Sequence, residues 1–92
     1  MTATVSVTER APGEFHVVVR EGRSETSHTV TLEPAYYERL TGGSIRQVEL
    51  VRRSFEFLLE REPKESILRR FELPVIERYF AEYPREIRRR LG

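Results

Sequence analysis

The chain contains no cysteine, aspartate, asparagine or tryptophan, and its glutamine and lysine occur once each, at Gln47 and Lys64. Without cysteine there is no disulfide framework, no thiolate metal site and no cysteine nucleophile. Without aspartate the EF-hand loop is excluded, as are the Mg-binding and nucleophilic roles that Asp usually fills. No apolar run approaches the ~18 residues of a membrane span. The opening MTATVSVTE has neither the basic start nor the apolar block of a secretory signal. A cytoplasmic protein that engages no membrane is the expectation.

What is present is arginine and glutamate, fifteen of each. Charged residues make up 34% of the chain, yet the formal net charge is only +1, so the molecule as a whole has no strong field to steer it onto a polyanion. Abundant Arg and Glu with little Asn, Gln and Cys is also a composition seen in thermophiles, so the Arg count by itself says little about nucleic acid. A length of 92 residues fits one small domain that buries roughly 60–65% of its unfolded surface. No linker, low-complexity run or internal repeat divides it, so 1–92 is read as a single α+β domain.

Residues 1–33 alternate in the manner of strands, and 34–92 carry helical periodicity. A two-residue loop at Gly22-Arg23 sets Glu21 opposite Ser24, Val17 opposite His28 and Phe15 opposite Val30. A five-residue loop from Arg10 to Glu14 then sets Val7 opposite Val17 and Val5 opposite Val19. All apolar positions land on one face, which a one-residue slip would scatter. The other face holds Thr4, Ser6, Thr8, His16, Val18, Arg20, Ser27, Thr29 and Thr31, a polar surface suited to water. The expected fold is a three-stranded antiparallel meander, about 3–9, 15–21 and 25–32, whose apolar face is covered by four or five helices.

Those helices are expected at about 34–41, 45–61, 64–71, 74–82 and 85–91. Pro34 suits a first helical position, and Gly42-Gly43 stops the first helix. Ser44 with Gln47 fits a capping box for the second. In that helix Val48, Val51, Phe55, Leu58 and Glu62 follow the helical period with Leu50 and Phe57 beside them, an arc wide enough to pack on two sides. Pro63, Pro74 and Pro84 restart the chain. Ile67, Leu68 and Phe71 point inward in the third helix, and Ile87 and Leu91 pair in the last. Glu49 with Arg53, Glu65 with Arg69 and Glu86 with Arg90 stand at i,i+4 ion-pair spacing.

Candidate chemistry is thin. His28 falls on the apolar face and His16 on the polar one, so the two cannot share a metal, and no HExxH or Cys/His spacing is present. A histidine on an apolar face is more often satisfied by a backbone or hydroxyl partner than free to act as ligand or base. No acid, base and nucleophile converge in the pattern. Thr41-Gly42-Gly43-Ser44 lacks the spacing and lysine of a phosphate loop. The sequence therefore reads as non-catalytic, with no catalytic residue, metal site or cofactor assigned.

Two binding readings remain. Charge balances at −2 over 1–43, zero over 44–63 and +3 over 64–92. Arg69, Arg70, Arg78, Arg85, Arg88, Arg89 and Arg90 are thus candidate nucleic-acid contacts. Two short helices meeting at Phe71-Glu72-Leu73 invite a helix-turn-helix reading. No glycine stands in that turn, however, and Glu77 and Glu82 on the second helix would repel phosphate. Cationic side chains at a helix C-terminus also have a local electrostatic reason to be there. The favoured reading is a domain that binds another protein, or a second copy of itself as a dimer, through the sheet edge and exposed aromatics. Tyr36, Tyr37, Tyr79 and Tyr83 are its candidate interface residues, with capping of the chain's own core as the bland alternative.

The stretch SFEFLLEREPKESIL from Ser54 to Leu68 is followed by Phe71, Leu73-Pro74-Val75-Ile76 and Arg78-Tyr79-Phe80. Together with the strand from His28 to Leu32 and the helix end from Tyr36-Tyr37 to Gly43, it resembles a group of small bacterial hypothetical proteins with no assigned activity. That resemblance implies a bacterial cytosolic setting and transfers no functional residue.

Overall fold

The computed structural model describes residues 3–91. Three long strands, β1 (Thr4–Ala11), β2 (Glu14–Glu21) and β3 (Ser24–Thr31), form an antiparallel meander. Val17 pairs with His28, Phe15 with Val30, Val7 with Val17 and Val5 with Val19, the register that the apolar pattern requires. Gly22 has φ 62° and the residue after it has negative φ, so Gly22 takes the position of a type II′ turn that only glycine occupies cheaply. The first hairpin is tighter than the expected five-residue loop. Ala11 pairs directly with Glu14 across Pro12-Gly13, and a register shift between Glu9 and Ala11 absorbs the extra residue as a bulge.

Two helices follow, α1 (Pro34–Thr41) and α2 (Gln47–Leu59). The N–H of Gly42 donates to Glu38 O and ends α1. The expected capping box does not form: α2 begins two residues later than 45, behind Arg46, with no side-chain cap. It also stops at Leu59 rather than 61, with Glu60 still at helical angles; Pro63 has no N–H to donate to the Leu59 carbonyl, so the helical ladder cannot continue.

The largest departure lies at 64–71, where a helix was expected. Lys64–Ser66 make one 3-10 turn, and Arg70–Glu72 form a fourth strand, β4, parallel to β3. The sheet is therefore mixed, in the order β1-β2-β3-β4. The cause is the side-chain period. Ile67, Phe71 and Leu73 are buried while Arg70 and Glu72 are exposed, an alternation that a strand satisfies and a helix does not. With 70–72 extended, no helix-turn-helix exists there. Glu65 consequently pairs with Lys64 at 2.8 Å and not with Arg69. Two short helices close the chain, α3 (Val75–Tyr79), shorter than the expected 74–82, and α4 (Tyr83–Leu91).

The core lies between the apolar sheet face and α2. Phe15, Val17, Val19 and Val30 from the sheet meet Leu50, Val51 and Phe55 from α2, all without exposed surface. Burying each such side chain contributes about 1.5–3 kcal/mol. The wide apolar arc of α2 is used on both sides. The Phe55 ring stands 5.2 Å from His28 and 5.9 Å from Phe71 on the sheet side, whereas Phe57 stands 5.3 Å from Tyr83 on α4. No helix among the described residues is long and apolar enough to cross a membrane.

Candidate functional site

The chain after Pro63 builds a groove on the surface of the domain. Ile67 and Phe71 approach it from the segment around β4, Ile76 from α3 and Leu58 from α2. Leu68 and Tyr79 rise at its rim and are the exposed large apolar side chains among the described residues, at 46% and 67% of their surface. The helical reading had turned Leu68 inward. In the extended backbone before β4 its side chain faces water, and its carbonyl faces His28.

The groove has a volume of about 140 Å³. Small-molecule and cofactor sites occupy ~300–1,000 Å³, while an apolar cavity of ~150 Å³ accepts a benzene-sized guest. It therefore has room for one apolar side chain. The lining is apolar except for Glu62 and Ser66. Burial raises the Glu62 carboxyl above the usual carboxylate range, and its side chain has no hydrogen-bond or ion-pair partner among the described residues. Sequence held a signal for this carboxylate. Glu62 continues the apolar line of Val51, Phe55 and Leu58, a place where a charged residue has no reason to be on packing grounds.

The four candidate tyrosines do not share a surface. Tyr83 is fully buried, its hydroxyl 2.6 Å from Ser54 Oγ. Tyr36 is buried with its hydroxyl donating to Glu77 on α3. Both belong to the chain's own core, which corrects the expectation that they form an interface. Tyr37 is half-buried and donates to the Ile45 carbonyl at 2.5 Å. Tyr79 alone among them is open to a partner.

The seven candidate arginines divide as well. Arg88 on α4 donates to the carbonyls of Leu40 at 3.3 Å and Arg39 at 3.2 Å, closing the C-terminal turn of α1. Arg89 pairs with Glu86 at 2.5 Å. Arg90 reaches Glu60 at 2.5 Å and Glu86 at 3.8 Å. Its guanidinium lies 5.7 Å from the Phe57 ring centre, while that of Arg61 covers the same ring at 3.6 Å. Arg69, Arg70, Arg78 and Arg85 are exposed, and their side chains make no hydrogen bond or ion pair among the described residues.

The two histidines lie on opposite faces of the sheet. His28 is buried, with Nδ1 2.8 Å from Leu68 O and Nε2 2.8 Å from Thr26 Oγ1. His16 sits on the opposite sheet face between Thr8 and Thr29, half-buried, and its Nδ1 has no partner among the described residues. No group of three His or Glu side chains among those residues is arranged to hold a metal ion. No protein-family model matches the chain, and neither a curated protein nor a solved structure matches it.

Proposed function

We propose that this chain is a non-catalytic protein-interaction domain whose groove takes one apolar anchor side chain of a partner segment, with a neighbouring Arg or Lys of that segment meeting Glu62. The observation that carries this reading is the unpaired, partly desolvated Glu62 in an otherwise apolar groove rimmed by exposed Leu68 and Tyr79. Glu62 is half-buried and without a partner among the described residues, and a carboxylate partly withdrawn from water gains from a cation delivered with an apolar anchor. Aromatic anchors seated in a desolvated pocket are where binding energy concentrates in protein interfaces.

The test is a titration of the isotopically labelled protein, followed by amide chemical shifts, with a short amphipathic peptide carrying one Leu or Phe anchor and an adjacent Arg. Saturable shifts at Leu68, Phe71, Ile76 and Tyr79 are expected, weakened about tenfold by Tyr79→Ala and reduced by Glu62→Gln for the basic peptide only. Tyr79 is exposed, so its truncation leaves the fold intact. No perturbation of the groove by this peptide or its acidic counterpart overturns the proposal. Shifts confined to Arg69, Arg70, Arg78 and Arg85 on adding duplex DNA, lost between ~50 and ~200 mM salt, would replace it with the nucleic-acid reading.

A further inference from the structure

β1 stands at the end of the sheet order and, among the described residues, has a strand neighbour on one side only. The direction of its backbone groups follows from the opposite edge. Thr29 N–H donates to Arg69 O at 2.7 Å and Leu73 N–H to Thr31 O at 2.9 Å, so the odd-numbered residues of β3 address β4. The even-numbered ones address β2, as the bond from Leu32 N–H to Gly13 O at 2.8 Å requires. Because His28 pairs with Val17 and Val30 with Phe15, odd residues of β2 face β3 and even residues face β1. Those even residues pair with Thr4, Ser6 and Thr8. The amides and carbonyls of Val5, Val7 and Glu9 are left pointing away from the sheet.

The side chains leave the same edge incomplete. Val17 and Val19 on β2 have no exposed surface, but their cross-strand partners Val7 and Val5 are only half-buried. Val48, on the helix that packs over β1, is half-buried too. Edge strands are ordinarily protected by lysine, proline or inward-pointing charge, and Thr4 to Thr8 carry none of these.

We propose that β1 pairs antiparallel with β1 of a second copy of this chain, about a two-fold axis at Ser6, joining two four-stranded sheets into one. The occupant is argued from the strand itself. Thr4-Val5-Ser6-Val7-Thr8 reads the same in both directions. A two-fold antiparallel pairing therefore sets Thr4 against Thr8, Val5 against Val7 and Ser6 against Ser6 of the other copy. The outward-facing Val5 and Val7 meet as hydrogen-bonded pairs, which the backbone directions demand. Thr–Thr and Val–Val cross-strand pairs are favourable, and Glu9 falls opposite Ala3, so no like charges oppose one another. The net charge of +1 adds almost no repulsion between copies. This inference stands on the edge strand and not on the groove, so failure of either leaves the other in place.

The experiment uses the absence of native cysteine. At the axis, Ser6 faces Ser6 as a non-hydrogen-bonded pair with Cα atoms ~4.5 Å apart, within the span of a disulfide. Ser6→Cys is expected to cross-link into a dimer under mild oxidation, whereas Ser27→Cys, on the same open face within β3, is not. Sedimentation of the unmodified chain up to about 0.5 mM, enough to populate an interface with Kd of ~100 µM, is expected to show a monomer–dimer equilibrium. Thr4→Glu/Thr8→Glu opposes like charges across the axis while placing carboxylates beside Arg20 and His16 within the chain. It is expected to weaken the dimer about tenfold or more with unchanged circular dichroism. A monomer at every concentration, equal cross-linking of Ser6→Cys and Ser27→Cys, or a dimer indifferent to Thr4→Glu/Thr8→Glu overturns the proposal.

Discussion

Nδ1 of His28 lies 2.8 Å from the main-chain carbonyl oxygen of Leu68, forty residues further along the chain. A carbonyl only accepts, so Nδ1 carries the proton and donates. Nε2 is then the lone-pair nitrogen and accepts from the Thr26 hydroxyl at 2.8 Å. The ring is held neutral, and through it β3 fixes the backbone that raises Leu68 to the rim of the groove.

Acid should loosen this arrangement in a defined window. Burial lowers the His28 pKa below 6.5, the Leu68 hydrogen bond opposes that shift, and the nearby charges of Arg69 and His16 reinforce it. The unfolded chain therefore takes up a proton before the folded one does. The stabilising contribution is present above pH ~6.5 and is lost as pH falls toward the folded value, with a slope of at most about 1.4 kcal/mol per pH unit. The paired carboxylates Glu49, Glu60, Glu82 and Glu86 have values below 4.5 and act only at lower pH. Glu62, raised by burial, acts in the opposite sense, so the measurement belongs in a Glu62→Gln background. The urea midpoint should fall between pH 6.5 and 5, and the His28 ring resonances should titrate with a midpoint below 6.5. A midpoint at or above 6.5 would contradict the neutral, buried assignment.

The meander was legible because two constraints met on the same residues. Alternation fixed which side chains face inward, and Gly22 fixed the turn that sets their partners. The groove was not legible, and the reason lies at Ile67, Leu68 and Phe71. Those three satisfy helical spacing as well as Ile67, Phe71 and Leu73 satisfy strand spacing, and a short apolar stretch cannot decide between them. The decision comes from outside the segment, from the unfilled edge of β3 at Thr29 and Thr31. The same limit applies to Tyr83. Its type suggested an interface, but only the packing of α4 on α2 reveals that Phe57 and Ser54 enclose it.

The Ser54–Tyr83 contact gives a prediction about the core. Ser54 donates its single proton to Leu50 O at 2.8 Å, so the Tyr83 hydroxyl 2.6 Å away donates to Ser54 Oγ. Tyr83→Phe removes a donor and should cost about 1 kcal/mol. Ser54→Ala strands the buried Tyr83 hydroxyl without its acceptor and should cost more, about 1–3 kcal/mol. The double variant leaves nothing polar unpaired and should be at least as stable as Ser54→Ala alone. Urea denaturation of the four proteins checks this, and strictly additive losses would show that the two hydroxyls do not depend on one another.

The arginines of α4 separate by what they touch. The guanidinium of Arg88 lies on the carbonyls of Arg39 and Leu40, the last-turn acceptors of α1 that no intrahelical N–H reaches. It also brings a positive charge to the negative end of that helix. Arg88→Ala should therefore cost about 0.5–1 kcal/mol of stability and raise amide exchange at the C-terminal end of α1. Arg89, with 72% of its side chain exposed and paired among the described residues only to Glu86, should be replaceable by Ala with no measurable change, since pairs in water contribute little. If Arg88→Ala left both stability and exchange unaltered, the contact with α1 would be incidental. The basic character of α4 would then need a reason outside the fold, and Arg88 would rejoin Arg69, Arg70, Arg78 and Arg85 as a side chain free to meet phosphate.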